Sequence, residues 1–287
     1  MPELPEVEIV KRGLAELIIG LKIKEVDSSW HKSFQASKTD TAQFLLGAKI
    51  ISVRRRAKVL IIDLDSKYSL VIHLKMTGQL VLRSDAAVFG AGHPNDSLVA
   101  KLPDRSTRVV ITFDQGKLFF NDQRKFGWIK LLPTIEIPNI DFFKKVGPEP
   151  LASDFKSVDF VERFKRKQNS LIKAALLDQT VIAGVGNIYA DESLWAAKIH
   201  PSNKVKDVSD AKLKLLFEEL KFVLKLSIEK GGSTDKNYVN AEGKKGSYLS
   251  FARVFRRENQ PCPRCGTTIE KIRVASRGTH ICPKCQR

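Results

Sequence analysis

All the cysteine in this 287-residue chain falls in one short stretch, as Cys262, Cys265, Cys282 and Cys285. The spacing is C-x2-C, sixteen residues, then C-x2-C, with the pairs set in Pro261-Cys262-Pro263-Arg264-Cys265-Gly266 and Ile281-Cys282-Pro283-Lys284-Cys285-Gln286. Two such knuckles present four thiolates to one tetrahedral Zn²⁺ and leave no open position, so a single structural metal is expected. Two disulfides are the alternative, disfavoured for a chain expected to stay in a reducing compartment. Between the knuckles, Ile269 to Val274 and Thr279 to Cys282 read as two strands, with Arg277-Gly278 at the turn of the hairpin. Arg277 then projects from a metal-stapled tip, as a solvated turn residue or as a phosphate contact.

Charge favours the second role. Lysine and arginine number 49 against 32 acids, a formal charge of +17. A surface this basic gains affinity for a polyanion by releasing its counterions, although a ribosomal or merely soluble basic protein has a similar excess. The basic residues are dispersed rather than gathered on one amphipathic segment, which argues against a membrane surface. No apolar run is long enough to span a bilayer, and the start of the chain is acidic, unlike a secretory leader. A cytoplasmic protein is therefore expected. With 43% hydrophobic residues, the chain has room for two globular domains and a small appendage.

The chain starts Met1-Pro2-Glu3-Leu4-Pro5-Glu6-Val7-Glu8. Removal of Met1 would give Pro2 a free secondary amine, and an α-amino group titrates near pH ~8, well below a lysine, so a useful fraction is nucleophilic at neutral pH. Attack on a sugar C1′ would give a cationic iminium directly, with Glu3 beside it as a carboxylate able to shuttle protons. A plainer reading makes Pro5 the first residue of a helix with Glu6 and Glu8 in its first turn. That explains Pro5 and the acids but leaves Pro2 without a role.

Residues 1–132 read as a helix, Glu6 to Leu17 stopping near Gly20, followed by short β-branched runs: Lys49 to Val53, Val59 to Leu64, Leu70 to Leu74, Leu80 to Leu82, Val109 to Phe113 and Lys117 to Phe120. Such runs predict an antiparallel sandwich. Residues 133–150, ending in Gly147-Pro148-Glu149-Pro150, read as a linker. Residues 151–256 read as helical, with segments Asp154 to Lys167, Leu171 to Leu177, Asn187 to Ala197 and Asp210 to Glu229, the last stopped by Gly231-Gly232. The turn Ile182-Ala183-Gly184-Val185-Gly186-Asn187 opens a helix, where amides can hold a phosphate and Asn187 can add a side-chain contact. It carries no dinucleotide fingerprint, and a plain tight turn explains it equally well. Residues 234–248 are polar and unpatterned, as a linker or a mobile loop would be. Residues 257–287 form the zinc finger.

Three motifs together, MPELPEVE at the start, AGVGNIYADESL (Ala183 to Leu194) and RGTHICPKCQ (Arg277 to Gln286), closely resemble the bacterial formamidopyrimidine-DNA glycosylase family. The resemblance runs over the whole chain. It implies an α+β multidomain fold: an N-terminal β-sandwich flanked by helices, a helix–two-turn–helix domain, and a β-hairpin zinc finger. It also implies a bifunctional glycosylase and abasic-site lyase of base excision repair, acting on oxidised purines in double-stranded DNA. By resemblance Pro2 is the nucleophile, Glu3 its proton-transfer partner, Lys58 a proton donor in base excision and β-elimination, and Arg277 a phosphate contact used in the later elimination. Met76, Arg124 and Phe126 match the set that fills the gap left by an extruded base. Asn169, Lys173 and Asn187 match DNA-contacting positions, and 234–248 matches a loop that folds over the lesion.

On the residues alone, Arg54 to Lys58 reads equally as a solvated strand edge, and Met76 and Phe126 as lids of a core. Two departures bear on phosphate contacts. Arg105-Ser106-Thr107-Arg108 stands where many members carry a histidine pair, and Gln168-Asn169 replaces basic residues. The expectation is a monomeric, cytoplasmic oxidised-purine glycosylase and lyase with one Zn²⁺. The alternatives are an endonuclease VIII-like enzyme for oxidised pyrimidines, disfavoured by Leu4 and the Met76, Arg124, Phe126 set, and a non-catalytic zinc-ribbon binder, which leaves Pro2-Glu3 unexplained.

Overall fold

The computed structural model describes residues 2–93, 95–233 and 248–287. The chain divides into two compact units, residues 1–144 with 230–247 and residues 145–229 with 248–287.

The first unit opens with helix α1 (Leu4–Ile18), longer by two residues at its start than its apolar spacing suggests. Glu3 is its N-cap, and the Glu6 carboxylate accepts from the Glu3 N–H at 2.8 Å, one arm of a capping box. The strands are β1 (Ile23–Ser28), β2 (Phe34–Gln35), β3 (Ile50–Arg56), β4 (Val59–Leu64), β5 (Tyr68–His73), β6 (Gly78–Arg83), β7 (Val88–Gly92), β8 (Thr107–Phe113), β9 (Gly116–Asp122) and β10 (Trp128–Pro133), with a short helix α2 (Lys38–Asp40). They form two five-stranded sheets, β1-β8-β9-β6-β7 and β2-β10-β5-β4-β3, antiparallel except for the β2–β10 pair. Alternate residues face inward, so Leu60, Ile62, Leu70, Ile72, Leu80, Leu82, Ile111 and Phe120 fill one core with Val10 and Leu14 of α1. Helix α1 comes so close to β7 that a Cβ at Gly13 would lie 2.2 Å from the Phe89 ring.

Two differences from the sequence reading concern covered surfaces. The outer face of β4 and β5 is apolar too (Val59, Ile61, Val71), and it needs a cover. The stretch expected to be a linker supplies it: a 3₁₀ turn at Thr134–Asn139 and helix α3 (Asp141–Lys145) bring Ile137, Phe142 and Phe143 onto that face. The run Arg54 to Lys58, read as a solvated strand edge, ends β3 at Arg56 and leads into β4 at Val59, with Ala57 (φ 54°) and Lys58 forming the two-residue turn between them. Arg54 binds Asp63 at 2.7 and 3.0 Å, and Arg55 binds Glu8 at 3.0 Å.

In the second unit, α4 (Ser157–Lys165), α5 (Ile172–Leu177), α6 (Asn187–Ala196) and α7 (Asp210–Glu229) pack around Phe160, Phe164, Tyr189, Leu194, Phe217 and Leu220. Helix α8 (Tyr248–Phe251) leads to the hairpin of β11 (Glu270–Val274) and β12 (Arg277–Ile281). The hairpin turn lies two residues earlier than expected. Ala275 (φ 49°) and Ser276 (φ 60°) make it, and Arg277 is the first residue of β12, paired with Val274. Two consecutive left-handed residues match the strand twist of a two-residue hairpin, which overrides the pull of Gly278.

Candidate functional site

Pro2 and Glu3 are buried at the head of α1, Glu3 only 3% exposed. Glu6 fixes this entry from two sides, since its other carboxylate oxygen accepts the Ser233 N–H at 2.9 Å. Gly232 (φ +86°) passes so close that a Cβ there would meet Ile9 at 3.1 Å and the Glu6 carboxylate at 3.3 Å. One turn on, Glu8 takes hydrogen bonds from Arg55, Lys11 and Arg12. Burial pushes the Glu8 carboxyl up, but these three cations outweigh it and hold it below its usual range. Arg55 also donates to the Ala57 carbonyl at 2.8 Å. One guanidinium thus ties the helix that begins beside Pro2 and Glu3 to the turn that carries Lys58. Lys58 itself is 8% exposed.

The next residue along this end of the sheet is His73. It is driven down to about 3 by burial first, and then by the charges of Lys75 and Lys58. Its Nδ1 accepts the Lys75 N–H at 2.9 Å, so the neutral ring has a defined task. Met76 follows in an exposed turn (40%), and Phe126 stands exposed (55%) with the Arg124 guanidinium 4.9 Å over its ring. A buried core lid would not be placed so. Asp122, which the sequence reading passed over, joins the two turns. Its carboxylate accepts the Thr77 hydroxyl, the Arg124 N–H at 3.2 Å and the Gly127 N–H at 2.7 Å.

In the second unit, the turn 182–187 is braced by Gln179, another residue the sequence reading missed. Its amide donates to the Val185 carbonyl at 2.9 Å and accepts the Gly184 N–H at 2.9 Å. Asn187 opens α6 and donates to the Gly278 carbonyl at 3.0 Å. Asn169 is exposed in the turn after α4. Lys173 departs from its expected direct DNA contact. It is fully buried, with its ammonium on Asp191 at 2.6 Å, the Thr279 hydroxyl at 2.7 Å and the Gly278 carbonyl at 3.3 Å. In this position it holds β12, the strand that starts with Arg277, instead of facing solvent. Asp191 also accepts the His280 N–H at 2.9 Å, and neighbouring Glu192 accepts the N–H groups of Arg253, Val254 and Phe255 at 2.8 to 3.1 Å. Asp191 therefore holds strand β12 of the finger, and Glu192 holds the segment 253–255 that leads into it.

The four cysteine sulfurs lie within 4.8 Å of one another, with pairs at 3.4, 3.5 and 3.9 Å. Four thiolates at ~2.3 Å from Zn²⁺ sit about 3.8 Å apart, so the cluster fits one tetrahedral ion. All four are free thiols, which removes the disulfide alternative. Hydrogen bonds from the Thr267 side chain and backbone push the Cys265 thiol down to about 6, whereas burial pushes Cys282 up to about 12. Arg264 locks the finger to α6. It donates to the Trp195 and Ala196 carbonyls at 3.1 and 3.2 Å, the favourable place for a cation at a helix C-terminus, and stacks 3.9 Å over the Trp195 ring. The loop expected at 234–248 lies, except for Tyr248, outside the described residues. No helix among the described residues is long and apolar enough to cross a membrane.

Family models match in chain order: the formamidopyrimidine-DNA glycosylase N-terminal domain over residues 1–129, the H2TH domain of the same enzyme over 146–238, and the zinc finger found in FPG and IleRS over 259–287. The chain is 43% identical to the formamidopyrimidine-DNA glycosylase of Herpetosiphon aurantiacus and 40% identical to that of Streptococcus mutans, with all of each chain covered. Among solved structures it is similar to Lactococcus lactis Fpg in complex with an abasic site containing DNA (35% identity, TM-score 0.87, 99% of each chain). It is likewise similar to MutM in complex with carbocyclic 8-oxo-G containing DNA (34%, 0.86, 100% of each). On these matches over its whole length, the chain belongs to the formamidopyrimidine-DNA glycosylase family.

Proposed function

We propose that this oxidised-purine DNA glycosylase, with the lyase activity typical of its family, works through an imine at Pro2. The observation that carries the proposal is the fixed placement of Pro2-Glu3 at the head of α1, held by Glu6 and, through Glu8 and Arg55, tied to the turn of Lys58. Once Met1 is removed, the Pro2 nitrogen attacks C1′ of the damaged nucleotide, loses its own proton, and the base leaves with its bonding pair and a proton. The C1′–O4′ bond of the resulting aminal then breaks, O4′ takes a proton and the sugar ring opens to an iminium. The positive iminium acidifies C2′–H. Loss of that proton expels the 3′ phosphate by β-elimination, a second elimination expels the 5′ phosphate, and water releases Pro2 from the remaining sugar fragment. Glu3 manages the protons, and Lys58, close enough to depress His73, supplies positive charge and a proton on the same unit.

Extruding a base leaves an unstacked gap, and Met76, Phe126 and Arg124 are the exposed apolar and guanidinium groups suited to fill it. Asn169, Asn187 and Arg277 are the proposed phosphate contacts, with Lys173 supporting Arg277 from beneath. The Zn²⁺ is structural: bound by Cys262, Cys265, Cys282 and Cys285, it holds the hairpin and takes no step in the chemistry. The partner is duplex DNA with an oxidised base, and the charge of +17 supports that partner. We read the protein as a cytoplasmic monomer that binds no membrane.

Glu3→Gln tests the assignment on a duplex carrying 8-oxoguanine opposite cytosine. Excision should slow at least ~100-fold with affinity within a few-fold of wild type, because proton transfer is lost and little contact area changes. A parallel loss of affinity would make Glu3 a residue of the helix cap alone.

A further inference from the structure

We infer that Arg108 is a phosphate-binding residue that grips the DNA backbone beside the turn carrying Arg124 and Phe126; the inference rests on the DNA-glycosylase reading above. The β8–β9 register passes from Thr107 opposite Asn121 to Val109 opposite Phe120, so Arg108 is the extra residue of a bulge. A bulge re-aims a side chain out of the regular alternation of a strand. Here the bulge is pinned on both sides. The Ser29 N–H donates to the Arg108 carbonyl at 3.0 Å, the Ser29 hydroxyl to the Thr107 carbonyl at 2.8 Å, and the Asp122 N–H to the Ser106 carbonyl at 2.8 Å.

The re-aimed guanidinium donates its Nε–H to the carbonyl of Asp122 at 2.8 Å. Asp122 is also the residue whose carboxylate sets the Met76 and Arg124 turns. The Arg108 fork is therefore tethered two residues before Arg124, at the root of the gap-filling turn.

What the fork lacks is an anion. Arg54 and Arg55 are paired with Asp63 and Glu8, whereas among the described residues no carboxylate lies within ion-pair distance of the half-buried Arg108. Among the described residues its one side-chain bond is to a neutral carbonyl, which leaves the Nη donors for a ligand. A planar fork with donors to spare matches two oxygens of a phosphodiester. In the same segment, the serine and threonine that accompany Arg108 are turned inward. Ser106 binds Asp104 and Thr107 binds Asn121, so Arg108 is the member of that trio left to face the partner.

The test is the salt dependence of Kd for a duplex carrying a tetrahydrofuran abasic analogue, with wild type, R108A, R108Q and R108K. R108A should bind about tenfold more weakly at 0.1 M salt, and the slope of log K against log salt should be shallower by ~0.9, one phosphate's worth of counterion release. R108Q should show the same shallower slope, and R108K should restore it. A folded fraction that is constant across the salt range offsets log K without changing its slope, so the slope is read over a range in which the circular dichroism of each variant does not change. A wild-type slope in R108A or R108Q would make Arg108 a cap for the Asp122 carbonyl and overturn the inference. Failure of wild type to excise 8-oxoguanine would overturn the glycosylase reading instead, and would leave the slope comparison standing.

Discussion

The sandwich and the zinc hairpin both present a few polar side chains at a rigid edge, and they pay for that rigidity in different currencies. The sandwich has a large apolar core, so its strands need no help, and the residues at its strand ends and turns are left for chemistry: Lys58, Met76, Arg124 and Phe126 all lie between strands. The hairpin packs only a handful of apolar residues, around Trp195, Val254 and Ile269. It is held by four thiolates and by a buried set of ions and amides, Lys173–Asp191–His280 and Glu192 with the N–H groups of 253–255. Where the core is too small, charged residues become framework.

The sharpest way to break this comparison is to take the metal away. Chelation or Cys282→Ser should unfold residues 257–287 while the sandwich keeps its own transition, because structural zinc contributes ~10–16 kcal/mol of apparent binding energy to so small a module. Hydrogen exchange over the two regions would show it; equal protection of the finger with and without metal would mean that its protein contacts suffice. The next effect is that of the buried ion pair. Asp191→Ala leaves the Lys173 ammonium at 0% exposure without its carboxylate and should cost the second unit ~3–5 kcal/mol in thermal or denaturant unfolding. Replacing both, Lys173→Met with Asp191→Leu, should recover most of that loss. A double variant as unstable as the single one would place the cost elsewhere.

The sandwich has its own, smaller electrostatic liability. His73 titrates at about 3 in the fold against 6.5 when free, so it stays neutral among Lys58, Lys75 and the rings of Trp128 and Phe142. The unfolded chain binds the proton first. Stability from this site is therefore complete above pH ~6.5 and is lost as pH falls from there toward 3, about 2 kcal/mol by pH 5. His73→Gln should remove that part of the acid sensitivity of the sandwich; an unchanged difference between pH 8 and pH 5 would show that His73 is not its source.

These regions also differ in how far the sequence discloses them. Strands β4, β8 and β9 are legible as short runs of β-branched and aromatic residues bounded by turn signals, and helix α7 because its apolar residues repeat with the helical period. Strand β1 is hidden by polarity, since IKEVDS buries only Ile23 fully at a sheet edge, and β7 is hidden by its glycines in VFGAG. The cysteine ligands and the Pro2-Glu3 start can be read as chemistry because spacing or position alone defines them. Lys173 cannot, because its partners lie 18 and 106 residues away and most lysines face water. Asp122 is a similar case: a lone acid at a strand end has no sequence signature, and its role appears only when two turns meet.

The central claim is that the Pro2 nitrogen becomes covalently bound to the sugar. Borohydride reduction during turnover on an 8-oxoguanine duplex tests it most directly, since only an imine can be reduced to a stable link. The account predicts a protein–DNA adduct whose sugar fragment maps to Pro2 in the N-terminal peptide, and its loss in Pro2→Gly with Met1 retained. Absence of any adduct from wild type, or an adduct mapped to a lysine such as Lys58, would contradict it.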